Sequence, residues 1–165
     1  MRKTYKGLIT ELKPNQWFVF GSNTEGRHGK GAAKQAMKFG AIYGQSIGFQ
    51  GQCYAIITKD LTKSIHPSIN KESIQYQIGI LYHNAIQTPE DEYLIAYSGT
   101  GTNLNGYTNE EMARMFCNPI EADGDPWNSD IFNSQPFEIP KNIIFEESFY
   151  NLIQQQLSPK TETFF

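Results

Sequence analysis

Residues 17–33 read WFVFGSNTEGRHGKGAA, and the reading of this stretch decides the fold. Trp17, Phe18, Val19 and Phe20 form an apolar run of aromatic and β-branched residues, the pattern of a strand buried on both faces. Gly21-Ser22-Asn23 ends the run, and Gly29-Lys30-Gly31 ahead of Ala32-Ala33-Lys34-Gln35-Ala36-Met37 predicts a helix start. A strand, a glycine loop and a helix in that order put unpaired backbone N–H groups where an anion can meet them, and glycines let it come close to the main chain. A nucleotide phosphate is the expected occupant.

Outward from this stretch the alternation repeats. Strands are predicted at 17–21, 52–57, 93–98 and 142–146, with an edge strand at 5–12, and helices at 30–39, 71–87, 108–117 and 147–157. In the second helix Ile74, Ile78, Leu81 and Ala85 fall on one stripe, as do Phe149, Leu152, Ile153 and Leu157 in the last. Thr108 and Glu111 have capping-box spacing. Such an order predicts an α/β layer fold with helices on both faces of a mostly parallel sheet. Residues 118–140, rich in proline and with five acidic residues, predict a surface excursion, either a binding loop or a simple insertion. The tail 158–165 is expected to be frayed, and residues 1–165 to form a single domain.

Composition narrows the function. Hydrophobic residues make up 39% and charged residues 19%, with 22 aromatics, too many core-formers for a disordered chain. The net charge is −3, without the basic stripe of duplex-binding proteins, so a nucleic-acid partner is not expected, although a sum does not exclude a local basic patch at Lys30, Lys34 and Lys38. Cys53 and Cys117 lack zinc-site or redox spacing and read as buried thiols. No run approaches the about 18 apolar residues of a membrane span, and the first residues lack the apolar core of a signal peptide. A cytoplasmic protein without cofactor, metal or membrane association is expected.

Three loops after predicted strands carry the chemistry, and in open α/β sheets such loops converge beyond the carboxyl ends of the strands. The first offers Asn23, whose amide either meets a sugar hydroxyl or closes an Asx-turn, with Gly21, Ser22, Gly29, Lys30, Gly31 and Ala32 around it. The second, Ser98-Gly99-Thr100-Gly101-Thr102-Asn103-Leu104-Asn105-Gly106-Tyr107, reads as an anion nest before a capped helix. Neither loop is a Walker loop or a GxGxxG fingerprint. The third is Thr58-Lys59-Asp60, where Thr58 can face the cleft and Asp60 can cap the next turn. Glu25, His28 and Asp60 are the candidate acids or bases. His28 is preferred because its ordinary pKa suits proton traffic near neutrality; His66 precedes Pro67 in a loop and His83 lies in a helix.

Phe18-Val19-Phe20-Gly21-Ser22-Asn23 followed by Gly29-Lys30-Gly31-Ala32-Ala33, then Gly99-Thr100-Gly101 with Asn105-Gly106-Tyr107, and finally Asn142-Ile143-Ile144-Phe145 running into Phe149-Tyr150-Asn151-Leu152, resemble in order the macrodomains, ADP-ribose-binding α/β/α modules. The resemblance covers about residues 7–157. It implies a three-layer α/β/α sandwich with a mixed central sheet, and a site for ADP-ribose or a related nucleotide. In that site Asn23 would contact the distal ribose, Gly29 to Ala32 that sugar and its phosphate, Gly99 to Thr102 the diphosphate, and Tyr107 would stack beside the ribose. Some macrodomains also hydrolyse ADP-ribose linkages, and for that activity Asn23, which the resemblance places at the ribose, and His28, the preferred acid or base on its own chemistry, are the catalytic candidates. The chain departs from the family where Leu8 stands in place of an adenine-reading Asp, and where Lys30 interrupts the glycine run. Two alternatives stay open: an interaction scaffold using 118–140 to hold a protein partner, or an enzyme or sensor for another nucleotide.

Overall fold

The computed structural model describes residues 2–99, 101–121 and 138–158. Thr100, most of the predicted excursion (122–137) and the tail from 159 lie outside the described residues. The elements are β1 (Thr4–Tyr5), β2 (Gln16–Asn23), α1 (Gly31–Ala36) with a 3-10 turn at Met37–Phe39, β3 (Gly48–Gln50), β4 (Cys53–Lys59), α2 (Lys71–Gln87), β5 (Glu92–Ile95), α3 (Asn109–Cys117), β6 (Ile143–Glu146) and α4 (Glu147–Leu157). Among the described residues this is a mixed α/β fold of six strands and four helices.

The strands lie in the order β1-β6-β5-β2-β4-β3, all neighbours parallel except β3 against β4. Central β2 pairs with β4 on one side (Phe18 opposite Cys53) and β5 on the other (Phe18 opposite Leu94). The chain leaves β2 toward one edge, then crosses back through α2 to β5, so the order reverses at β2. Such a reversal opens a crevice beyond the carboxyl ends of the strands.

Alternate residues of each strand point to opposite faces. Val19, Tyr54, Ile56, Tyr93 and Ile95 join one apolar cluster with α2, α3 and α4, while Phe18, Phe20, Cys53, Ala55, Leu94 and Ile144 join a second with Ala33 and Ala36 of α1. The predicted stripe of α2 is fully buried. In α4 the stripe holds at Phe149 and Ile153, but Leu157 is exposed in the last turn. Thr108 caps α3 in a complete capping box with Glu111. Both cysteines are buried and free, Cys53 donating to the Ala36 carbonyl and Cys117 to that of Ile153.

Four expectations are corrected. Only Thr4–Tyr5 of the first segment pairs in the sheet; beyond it the chain leans on α1, where the Gln35 amide donates to the Ile9 carbonyl at 2.6 Å and Ile9 fills the second cluster. The strand expected at 93–98 stops at Ile95, because the chain must leave the sheet to form the rim of the crevice. The helix expected at 30–39 is six residues followed by the 3-10 turn. Strand β3 falls where the sequence predicts none: it doubles back on β4 over three residues, too few for a periodic signal. The ends of the predicted excursion are tied down, with Ile120 N–H donating to the Gln75 carbonyl and the Arg2 guanidinium donating to the carbonyls of Ile139, Pro140 and Ile143. Among the described residues no helix is long and apolar enough to cross a membrane.

Candidate functional site

Parallel pairing brings the ends of β2, β4 and β5 to one rim, and a cavity of about 550 Å³ opens there, within the range of small-molecule sites. Its floor is apolar: Val19, Phe20, Ile56 and Ile95 from the strands, Ile74 and Ile78 from α2, Met112 and Phe116 from α3, and Phe149 from α4. Its mouth is polar. Lys30, Gly31 and Ala32 line it from the first loop, Gly21 and Thr58 from the strand ends, and Ser98, Thr102, Asn103, Leu104 and Asn105 from the second loop, with Tyr97 and Asn109 beside them. The two loops meet across it: a Cβ placed on Gly31 would lie 3.1 Å from Leu104 Cδ1.

Of the residues the sequence singles out, Gly21, Lys30, Gly31, Ala32, Thr58, Thr102 and Asn105 line the cavity. Thr58 is buried and its hydroxyl donates to the Ser22 carbonyl at 3.3 Å; a side chain on Gly21 would collide with that hydroxyl at 2.9 Å. Asn105 Oδ1 accepts from Tyr107 N–H at 2.9 Å, an Asx-turn that shapes the second loop.

Ser22, Asn23, His28, Gly29, Gly99, Gly101, Gly106 and Tyr107 stand beside or behind the cavity rather than in its lining, and Thr100 lies outside the described residues. Asn23 spends its amide on its own loop: Nδ2 donates to the Arg27 carbonyl at 3.0 Å, and Arg27 N–H donates to Oδ1 at 2.9 Å. The amide thus braces its loop at the backbone four residues on, not two residues on as the Asx-turn that the sequence allows would. His28 is 3% exposed and packs edge-on against Phe20 of the second cluster. Its Nε2 lies 3.1 Å from both the Gln45 carbonyl and Gln50 Oε1, two acceptors, so Nε2 carries the proton. Tyr107 is likewise buried, its hydroxyl donating to the Ile69 carbonyl at 2.5 Å, which turns its ring into the core rather than toward a sugar. Burial raises the Tyr107 phenol, helped by nearby Glu111. Asp60 caps its own turn through Thr62 N–H and hydroxyl, bonds that lower its carboxyl below the usual range.

The polar corner at the mouth takes Asn103 from the second loop, while Asn109 and Tyr97 have no counterpart among the sequence expectations. Asn103 Nδ2 donates to the Tyr107 carbonyl at 3.0 Å and to Asn109 Oδ1 at 3.1 Å, and Asn109 Nδ2 reaches the Tyr97 hydroxyl at 3.5 Å. Burial pushes the Tyr97 phenol up, with Glu146 and Glu110 adding to the rise. The floor residues Met112 and Phe116 do carry a sequence signal: their spacing of four places both on one face of α3. Among the described lining residues the titratable side chains are Lys30 and Tyr97, one cation and one neutral hydroxyl. No family model, curated protein or solved structure matches the chain.

Proposed function

We propose that the chain binds ADP-ribose or a closely related nucleotide metabolite in this cavity, in the manner of the macrodomains its loops resemble. The convergence of the two glycine-bearing loops on one crevice beyond β2, β4 and β5 carries the reading. The lining supports it: an apolar floor suits a base or sugar ring, the Asn103, Asn109 and Tyr97 corner suits hydroxyls, and Lys30 suits a phosphate. Gly29 and Gly101 add a second support. Neither has a positive φ, and a Cβ on either would meet nothing within 4 Å, so the fold itself does not require glycine there. Bare main chain beside an open cavity is what a close-lying anion needs. The three-layer α/β/α reading is supported by the two apolar clusters, one on each face of the sheet.

Binding is better supported than hydrolysis. General acid–base work needs a titratable group within reach of the reacting atom, and His28 is buried against the core while Asp60 is held in its own turn. Titration calorimetry of ADP-ribose into the wild type and Gly101→Glu tests the reading. Saturable heat in the wild type, abolished by a carboxylate at position 101, is the expected result; silence of the wild type at millimolar ligand overturns it. A nucleotide with another base is the second reading, motivated by Leu8 standing where the resembled family has an adenine-reading Asp; Leu8 is 70% exposed and outside the cavity lining. A thermal-shift screen of adenine, guanine and pyrimidine nucleotides separates the two.

A further inference from the structure

The net charge of −3 conceals a segregation. Eleven of the 14 Lys and Arg residues, but three of the 17 Asp and Glu residues, fall within the first 71 positions. Asymmetry between the halves of a chain is a signature of polyanion contact that a summed charge cannot register.

The fold concentrates part of this charge on one face. Lys30 lines the cavity mouth, and Lys34 and Lys38 succeed it, exposed, along α1 and its 3-10 turn. Steps of four residues advance about 6 Å along a helix and keep nearly the same side outward. Gln52 links the foot of this row to the segment before β2: its N–H donates to the Phe39 carbonyl at 2.9 Å and its side-chain amide to the Lys13 carbonyl at 3.1 Å, which brings exposed Lys13 to the end of the row. The ion pairs of the described residues use Lys3, Lys6 and Arg27, and leave Lys13, Lys30, Lys34 and Lys38 outside any salt bridge. Of these four, Lys13 is near enough to Glu92 to help lower its carboxyl. The first turn of α1 holds no acid. Left-handed Gly40 ends the 3-10 turn, with Ala41 N–H donating to the Ala36 carbonyl, and in the loop beyond Tyr43, 61% exposed, has its ring 6.3 Å from that of His28, two residues before Lys30.

We propose that this face is the track of a single-stranded polynucleotide whose terminal nucleotide enters the cavity, an inference that rests on reading the cavity as a nucleotide site. A row of cations flanked by an exposed aromatic ring is how proteins hold a single strand, charge tracking the phosphates and the ring stacking on a base. Continuity with the cavity favours a strand over an anionic bilayer, since a flat surface cannot reach past Lys30 into the mouth.

The probe is a fluorescein-labelled single-stranded oligonucleotide of about a dozen nucleotides, within the usual site size, as DNA and as RNA, observed by anisotropy across a salt series. The double variant Lys34→Glu with Lys38→Glu, both outside the cavity lining, is compared with the wild type, and ADP-ribose is titrated into each. The expected result is oligonucleotide binding whose log–log salt slope is shallower in the variant by about 1.4, or 0.7 for each phosphate that a lysine no longer neutralises on a single strand, with ADP-ribose affinity unchanged. ADP-ribose binding without oligonucleotide binding, or oligonucleotide binding indifferent to the double variant, overturns the track and leaves the cavity reading standing. A wild type that ignores ADP-ribose brings down the cavity reading and this inference with it. Capture by phosphatidylserine vesicles in place of the oligonucleotide overturns the track in favour of a membrane.

Discussion

The loop after β2 and the loop after β5 are assembled in opposite order. In the first, the residues nearest the strand form the brace: Asn23 grips the Arg27 backbone, Gly26 (φ +65°) presses against the Gly44–Gln45 backbone, and His28 is buried. Only then does the chain open, at Gly29-Lys30-Gly31. In the second, the open part comes first, at Gly99 and Gly101, and the brace comes after it. Asn103 and Asn105 tie the turn, Gly106 packs on the His66–Pro67 backbone, and Tyr107 anchors to Ile69. Each loop is thus half brace and half cradle, with the cradle halves of both beside one cavity. Glycine count alone therefore does not mark a ligand site. What sets Gly29 and Gly101 apart is that neither a left-handed backbone nor a close contact explains the missing side chain, whereas Gly31 (φ +58°) and Gly99 (φ +76°), in the same halves, are called for by the backbone.

The comparison breaks most visibly at Gly106. Its φ is +90°, and a Cβ there would come within 2.6 Å of the His66 and Pro67 backbone. Gly106→Ala is expected to lower stability by roughly 2–5 kcal/mol, from left-handed strain and backbone overlap together, seen as a fall in the urea midpoint at unchanged slope. Stability equal to the wild type would mean that this half of the loop is no brace. At the cradle positions the expectation reverses. Gly29→Ala and Gly101→Ala should leave stability unchanged or raise it by roughly 0.4–1 kcal/mol, through a less flexible unfolded chain. Each should weaken ADP-ribose by about tenfold, or about 1.4 kcal/mol, in paired calorimetry and denaturant titrations. The smallest effect belongs to His28→Gln, which keeps a donor for the Gln45 carbonyl. A loss of about 1 kcal/mol in stability is expected, with ADP-ribose affinity and any turnover of an ADP-ribose linkage unchanged. A variant that folds like the wild type but no longer binds or turns over ligand would return His28 to the site.

Much of the fold was legible because its signals are local. The Ile74, Ile78, Leu81 and Ala85 stripe needs one helix to explain it, and Thr108 with Glu111 marks a helix start within four residues. Strand β1 was less legible, because its two residues are defined by their partners Phe145 and Glu146, near the other end of the chain. Strand β3 is specified by a turn back onto Tyr54 and Cys53 rather than by its own three residues. The site divides the same way. Which loops would meet could be read from strand order and glycine content. Which side chains face inward could not, because the directions of Asn23, His28 and Tyr107 are fixed by carbonyls of Arg27, Gln45 and Ile69 that no spacing rule predicts.

The two buried thiols have a practical sequel. Cys53 and Cys117 are the chain's cysteines, and burial pushes both up to about 11 from an ordinary 9.0. Alkylating dyes react with thiolate, so near neutral pH the native pair offers them almost none. A single Lys38→Cys substitution would therefore accept a fluorophore selectively, without prior removal of either native cysteine. The wild-type sequence already supplies the silent background that labelling work ordinarily has to engineer.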